Sequence, residues 1–494
     1  MMKYQSTRGS NSRLSSAQAI IRGIAEDKGL YVPERIPSLP FDLTQLSGQP
    51  YREVAFQIIK AFFPDYTDEE LHRCVDGAYD SKFDAREIVP VVKAGEGYFL
   101  ELYHGRTAAF KDMALSILPY LMTTALHKEK EDKKIVILTA TSGDTGKAAL
   151  EGFADVPGTE IIVFYPNQGV SQVQERQMTS QEGQNTHVFA IRGNFDDAQA
   201  GVKKIFNDSD FAEQLAAMNC KLSSANSINI GRLVPQVAYY VYGYGKLVER
   251  GAIKAGDPIN IVVPTGNFGN ILAAYYAGQM GLPVNRLICA SNENNILTDF
   301  INTGVYDLRR DFFLTNSPSM DILISSNLER LLFHLSGRDG KLVSRLMEQM
   351  EKEKRYEVTP AMKEAMSGFY GGFADVKDTN ETMGRMYAQN GYLIDTHTAV
   401  AYKVYENYLA ETGDHTPALI ASTASAYKFA DSVAEAIGIG KGKDGFASVA
   451  AIQKATGVPI PSGLVGLENK PIRHKDVVDV DQMAAAVKSA LKDR

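Results

Sequence analysis

Three short stretches hold residue types that could do chemistry. His104-Gly-Arg-Thr-Ala-Ala-Phe-Lys-Asp-Met-Ala sets Lys111 behind an apolar Ala-Ala-Phe and ahead of a mostly apolar run from Met113 to Met122. A lysine in that setting is expected to be partly buried, and burial lowers an amine's pKa and makes it a usable nucleophile toward an aldehyde. Thr139-Ala-Thr-Ser-Gly-Asp-Thr-Gly sits between an apolar run and a helical one. Free N–H groups at that helix start, with Ser142, Thr145 and the glycines, would form an anion nest. Val263-Pro-Thr-Gly-Asn-Phe-Gly-Asn repeats the arrangement. Its two glycines and two asparagines at a helix N-terminus suit a phosphate dianion. It is neither a Walker A loop nor a GxGxxG fingerprint, which disfavours the usual ATP or nicotinamide enzymes. Taken singly, each turn also reads as a plain structural turn, and Lys111 as one solvated lysine among many.

The elements that must position these residues alternate. Apolar runs at 134–141, 159–165, 187–191, 259–264, 286–290 and 418–422 read as strands. Segments 146–153, 171–178, 196–206, 229–249 and 270–280 read as helices, as do 319–333, 359–368, 396–409, 430–437 and 480–492. Continuous apolar strands alternating with helices predict parallel sheets covered on both faces, and open sheets of that kind bind ligands beyond the carboxyl ends of their strands. The first hundred residues look mainly helical with short extended pieces, and Thr67 with Glu70 three residues on forms a helix-start signature.

The 494 residues, with 44% hydrophobic and 22% charged, have ordinary globular composition. That length implies two or three domains. The formal net charge of -7 excludes a general nucleic-acid binder, although one cleft can still be basic. Cys74, Cys220 and Cys289 are widely spaced and suggest no metal site, only thiols in a reducing compartment. The opening residues have no apolar signal-peptide core, and no apolar run is long enough to span a bilayer. A cytoplasmic protein without membrane partners is expected.

Read together, the motifs resemble the threonine synthases, pyridoxal-phosphate enzymes of the tryptophan synthase β-like fold, in their longer form with an extended N-terminal region. The resemblance covers nearly the whole chain. It rests on Tyr4-Gln-Ser-Thr-Arg-Gly, Gly29-Leu-Tyr-Val-Pro-Glu, Thr107-Ala-Ala-Phe-Lys-Asp, Thr141-Ser-Gly-Asp-Thr-Gly, Gly193-Asn-Phe-Asp-Asp-Ala-Gln and Ser224-Ala-Asn-Ser-Ile-Asn. Arg232-Leu-Val-Pro-Gln, Pro264-Thr-Gly-Asn-Phe-Gly-Asn, Ser319-Met-Asp-Ile-Leu and Asp395-Thr-His-Thr-Ala follow in order. It implies an α/β fold of two open parallel-sheet domains: an N-terminal region 1–95, a larger cofactor domain from 96–130 and 231–494, and a smaller one at 131–230.

By that resemblance Lys111 carries pyridoxal phosphate as a Schiff base, and Gly266, Asn267, Phe268, Gly269 and Asn270 hold its phosphate. Thr423 faces the pyridine nitrogen. Ser142, Gly143, Asp144 and Thr145 receive the substrate carboxylate, while Arg106, Asn226, Asn229 and Arg232 are candidates for the substrate phosphate. The implied reaction is O-phospho-L-homoserine plus water to L-threonine and phosphate, the last step of threonine biosynthesis, in a monomer, with a dimer as the alternative. Threonine dehydratase, cysteine synthase and a non-catalytic binder of a phosphorylated metabolite are the competing readings. The chain departs from the family pattern at Arg106, Thr396 and Ala426, each standing where proline is usual; these changes alter backbone stiffness more than chemistry.

Overall fold

The structure, a computed structural model, describes residues 2–141, 143–167 and 170–492. Ser142 lies outside the described residues.

Two sheets organise the molecule. The larger has six strands in the order Phe369–Phe373, Val284–Ser291, Ile259–Pro264, Ala418–Ser422, Gly97–Glu101, Val91–Ala94. Its first five strands are parallel, and the last closes the edge as an antiparallel hairpin. The central Ile259–Pro264 and Ala418–Ser422 are buried throughout, as expected of strands covered on both faces. The smaller sheet has five parallel strands in the order Val477–Val478, Thr186–Ile191, Thr159–Pro166, Lys134–Ala140, Cys220–Ser223. The chain is an α/β protein as expected. The helix Met483–Lys492 packs on the smaller sheet through Met483 and Val487, among Val136, Leu138 and Ile162. We propose that residues 477–492 belong to that smaller unit together with 131–230.

The tyrosine-rich helix Ile230–Glu249 is buried from Ile230 to Leu247 and carries the N-terminal region on its flank, where Tyr51–Phe62 packs through Val54, Ile58 and Ile59. The Thr67 capping box is formed as its spacing predicts. Among the described residues, no helix is long and apolar enough to cross a membrane.

One predicted helix is broken. Residues 319–333 form a short 3-10 turn, Pro318–Met320, then irregular chain, and become helical only at Leu328–Leu335. Side chains in the gap are spent on neighbours: Ser325 Oγ donates to the Gly266 carbonyl at 2.6 Å, and Asn327 Nδ2 to the Asn267 carbonyl at 3.0 Å. Tertiary hydrogen bonds override helical periodicity here because the segment wraps the 266–270 loop.

Candidate active site

Three neighbouring parallel strands of the larger sheet release their chains at one edge. Ile259–Pro264 leads into the 266–270 loop, Ala418–Ser422 into Thr423, and Gly97–Glu101 into the Lys111 segment. The last two segments are stitched together. Phe110 N–H donates to the Thr423 carbonyl at 2.8 Å, and Ser425 N–H to the Ala108 carbonyl at 3.0 Å. The turn before Lys111 is clamped by Asp112, whose carboxylate accepts from Thr107 N–H at 2.8 Å and Thr107 Oγ1 at 2.6 Å. Burial raises the Asp112 carboxyl to about 6 against those two bonds. Lys111 then starts the short helix Asp112–Leu115 with its side chain 11% exposed.

The smaller sheet supplies the facing loop, and Asp144 is its hub. Asp144 Oδ2 lies 3.5 Å from Lys111 Nζ and accepts from Ser319 Oγ at 3.4 Å. Asp144 Oδ1 lies 2.6 Å from Lys428 Nζ and accepts from Gln174 Nε2 at 2.8 Å. Burial alone would push this carboxyl up. The ammonium charges of Lys428 and then Lys111, with the bonds from Lys428 and Gln174, overcome that and hold it well below the usual carboxylate range. Burial pushes the Lys111 amine below its ordinary value; Asp144 opposes the fall, while Lys428 and Arg232 add to it. A buried amine with a depressed pKa at a sheet's carboxyl edge is the arrangement that imine chemistry needs.

Family profiles match along the chain: a threonine synthase N-terminus at residues 3–79, a pyridoxal-phosphate dependent enzyme at 92–425 and a threonine synthase C-terminal region at 398–490. The Pseudomonas aeruginosa threonine synthase is 38% identical over 447 residues, covering 89% of this chain and 91% of its own. The chain belongs to the threonine synthase family of pyridoxal-phosphate dependent enzymes. A human member, threonine synthase-like 1, is 39% identical over 436 residues; this chain's match spans 86% of its own length and 58% of the human protein's. Among solved structures, a pyridoxal-phosphate-bound threonine synthase from Brucella melitensis superposes with a TM-score of 0.88 at 35% identity, covering 100% of both chains. The yeast threonine synthase superposes equally well, with a TM-score of 0.88 at 32% identity and coverage of 100% of this chain and 99% of the yeast one.

The 266–270 loop fits the phosphate of the family's cofactor. Phe268 caps the helix Gly269–Met280 in the left-handed region, φ 64°, so the first N–H groups of that helix are left without intrahelical acceptors. Asn270 Oδ1 accepts from both Tyr239 and Tyr240 hydroxyls, while its buried Nδ2 has no partner among the described residues. The loop thus offers donors, as an anion requires. Gly266 permits the tight wrap, since a Cβ there would come within 2.8 Å of the Ser319 carbonyl oxygen.

The remaining candidates separate. Gly143 and Asp144 open the helix Asp144–Phe153, with Thr145 in its first turn, and the Thr141 hydroxyl takes the N–H groups of Gly143 and Gly146 at 3.0 and 2.8 Å. Arg232 is buried, donates one bond to the Ala225 carbonyl at 2.8 Å and, among the described residues, has no partner for Nε. Burial lowers it only to about 10, so it stays charged near neutral pH. Asn226 is half-buried in the turn that precedes it. Asn229 has its side chain engaged by Ile20, Ser224 and Gly231, which makes it a helix cap. Arg106 is 54% exposed, pairs with Glu151 at 2.9 Å, and lines a cleft of about 970 Å³ that Lys111, Asp144 and Arg232 do not line.

Thr396 and Ala426 both stand first in helical turns, behind the side-chain caps Asp395 and Ser425. At that position proline contributes only a preset φ, so its replacement leaves the hydrogen bonding intact. The Asp395 cap also holds His397, Nδ1 to Oδ2 2.8 Å, and His397 Nε2 accepts from Ser319 N–H at 3.2 Å. Lys428, Gln174, Ser319 and His397 carry no chemical signature in isolation. Ser319 and His397 lie inside the ordered motifs, which attach no role to them, and Gln174 and Lys428 lie outside those motifs.

Proposed function

We propose that this chain converts O-phospho-L-homoserine and water to L-threonine and phosphate. The observation that carries the proposal is the meeting of a buried, pKa-depressed Lys111, on one sheet edge, with a loop at 266–270 whose acceptors are satisfied by neighbours and whose Asn270 Nδ2 donor is left over among the described residues. The named relatives supply the reaction.

Lys111 would hold the aldehyde carbon, the 266–270 loop the phosphate, and Thr423 the ring nitrogen. When bound, pyridoxal phosphate supplies the electron sink for carbanion chemistry. Thr423 is neutral, so a hydroxyl rather than a carboxylate would meet that nitrogen. At the helix start, where Thr141 already takes the N–H groups of Gly143 and Gly146, those of Asp144 and Thr145 suit the substrate carboxylate. The charged Arg232, with Nε free, suits its phosphate.

With its amine free, Lys111 would carry protons. It removes those at the substrate Cα and then Cβ as phosphate departs from Cγ. It returns protons to Cγ and Cα, and water adds its hydroxyl at Cβ. One flexible amine can reach all these carbons.

Incubation of the purified chain with O-phospho-L-homoserine should release phosphate and threonine in equal amounts, and Lys111→Ala should abolish both. Conversion of threonine to 2-oxobutyrate without phosphate release would identify a dehydratase instead.

A further inference from the structure

Lys428 is the second lysine at this site, and the proposed chemistry leaves it unused. Its side chain is fully buried, 0% exposed, on the short helical turn Ala426–Phe429 that follows Thr423. Its ammonium makes two contacts: 2.6 Å to Asp144 Oδ1, and a donated bond of 2.9 Å to the Thr107 carbonyl. One cation therefore ties together three segments: the turn before Lys111, the Asp144 loop and the chain leaving Thr423.

The charges around Asp144 come from every element packed on it. Lys111 approaches from the helix Asp112–Leu115, Lys428 from the turn after the central strand, and Gln174 from the helix Gln172–Thr179. Ser319 approaches from the broken segment, backed by His397 and Asp395, and Arg232 on the long helix adds positive charge at Lys111. With Lys111 alone, the Asp144 carboxylate would form a simple buried ion pair and hold a proton on that amine. A protonated amine neither attacks an aldehyde nor accepts a proton.

We infer that Lys428 is a positioning residue that takes one oxygen of Asp144 and anchors the Thr107 carbonyl, so that the carboxylate facing Lys111 is already neutralised and leaves the Lys111 amine free to lose its proton. The inference rests on the proposed role of Lys111 but not on the identity of the substrate.

The test is the pH midpoint of Lys111 in the full chain before cofactor loading. It is read by mass spectrometry from the rate of reductive methylation with formaldehyde, so it requires neither cofactor nor turnover. Lys428→Met should raise that midpoint by about one pH unit, and Asp144→Asn should lower it by a similar amount, since a charge within hydrogen-bonding reach moves a pKa by roughly 1–3 units. In the loaded chain, the midpoint of the visible absorbance should move in the same two directions. A role confined to folding would lower the melting temperature and leave the midpoints in place. Unmoved midpoints in folded variants overturn the inference. If Lys428→Met does not fold, Lys428→Gln, which can still donate to Thr107 and Asp144 but carries no charge, decides it by the same rise in midpoint. In the unsubstituted chain, a Lys111 midpoint at or above that of exposed lysines overturns it as well. Failure of the unsubstituted chain to form threonine, with the variants' midpoints shifted as expected, counts against the substrate and leaves the role of Lys428 standing.

Discussion

At the scale of single residues, the site is built from polar atoms whose partners are only partly supplied by the protein. Asn270 is the clearest case. Two tyrosine hydroxyls occupy its oxygen, and its buried amide nitrogen has no partner among the described residues. Asn270→Asp keeps the size and the acceptor while replacing the free donor with an anion. A hydrogen bond to a charged group contributes about 1.5–3 kcal/mol. Affinity for pyridoxal phosphate should therefore fall at least about tenfold, as measured by dialysis and reconstitution, with the melting temperature of the unloaded chain little changed. Retained cofactor affinity would remove the loop from the phosphate role. Arg232 is the same kind of residue with a full charge: among the described residues it has one carbonyl partner and no acid paired with it, and burial does not neutralise its guanidinium.

At the scale of elements, the 266–270 loop works because a second segment surrounds it. Ser325 and Asn327 hold its carbonyls, and Arg330 donates to Tyr31 while Arg8 pairs with Glu329 at 2.9 Å, so the N-terminal region props the same brace. Gly266→Ala would push a methyl into the Ser319 carbonyl, at a cost of about 1–3 kcal/mol in a packed site. The expected outcome is weaker cofactor retention on gel filtration, with the sheet's thermal transition nearly unchanged. Co-loss of both would show the loop to be structural.

These elements also show what was legible in the sequence. The core strands and the helices behind the two turns follow from apolar runs and turn chemistry. The broken 319–333 segment does not, because its side-chain bonds go to residues distant in sequence. The strand Phe369–Phe373 escaped notice because Phe-Tyr-Gly-Gly-Phe has the composition of a turn. Its glycines serve close packing instead: a Cβ on Gly372 would come within 2.7 Å of Val404, and one on Gly371 within 3.1 Å of Thr298. The two glycine turns and Lys111 stood out by residue type, and structure explains why they meet. Lys428 did not, because a lysine that balances a buried carboxylate looks like any other until the fold closes around it.

At the scale of the whole molecule, the two sheets share the chain unequally. The smaller one is finished by residues from the far end, where Met483 and Val487 fill its core. Removing residues 477–492 should uncover Val136, Leu138 and Ile162. Loss of two buried side chains alone costs about 3–6 kcal/mol. Limited proteolysis should then cut first within 134–223, and the Asp144 loop should lose its seat opposite Lys111. Equal protease resistance in the truncated and full chains would mean that this sheet stands without its last strand and helix.

The order of strands in the larger sheet has a consequence for how the protein is made. Ala418–Ser422 lies between Ile259–Pro264 and Gly97–Glu101. A ribosome therefore delivers Lys111 and the phosphate loop long before the strand that joins them side by side. A growing chain that has not yet reached residue 423 holds both halves of the cofactor grip with a gap where the middle should be. Capture of the vitamin-derived group is therefore expected to be a late event in biogenesis, with chains that end before residue 423 binding pyridoxal phosphate poorly.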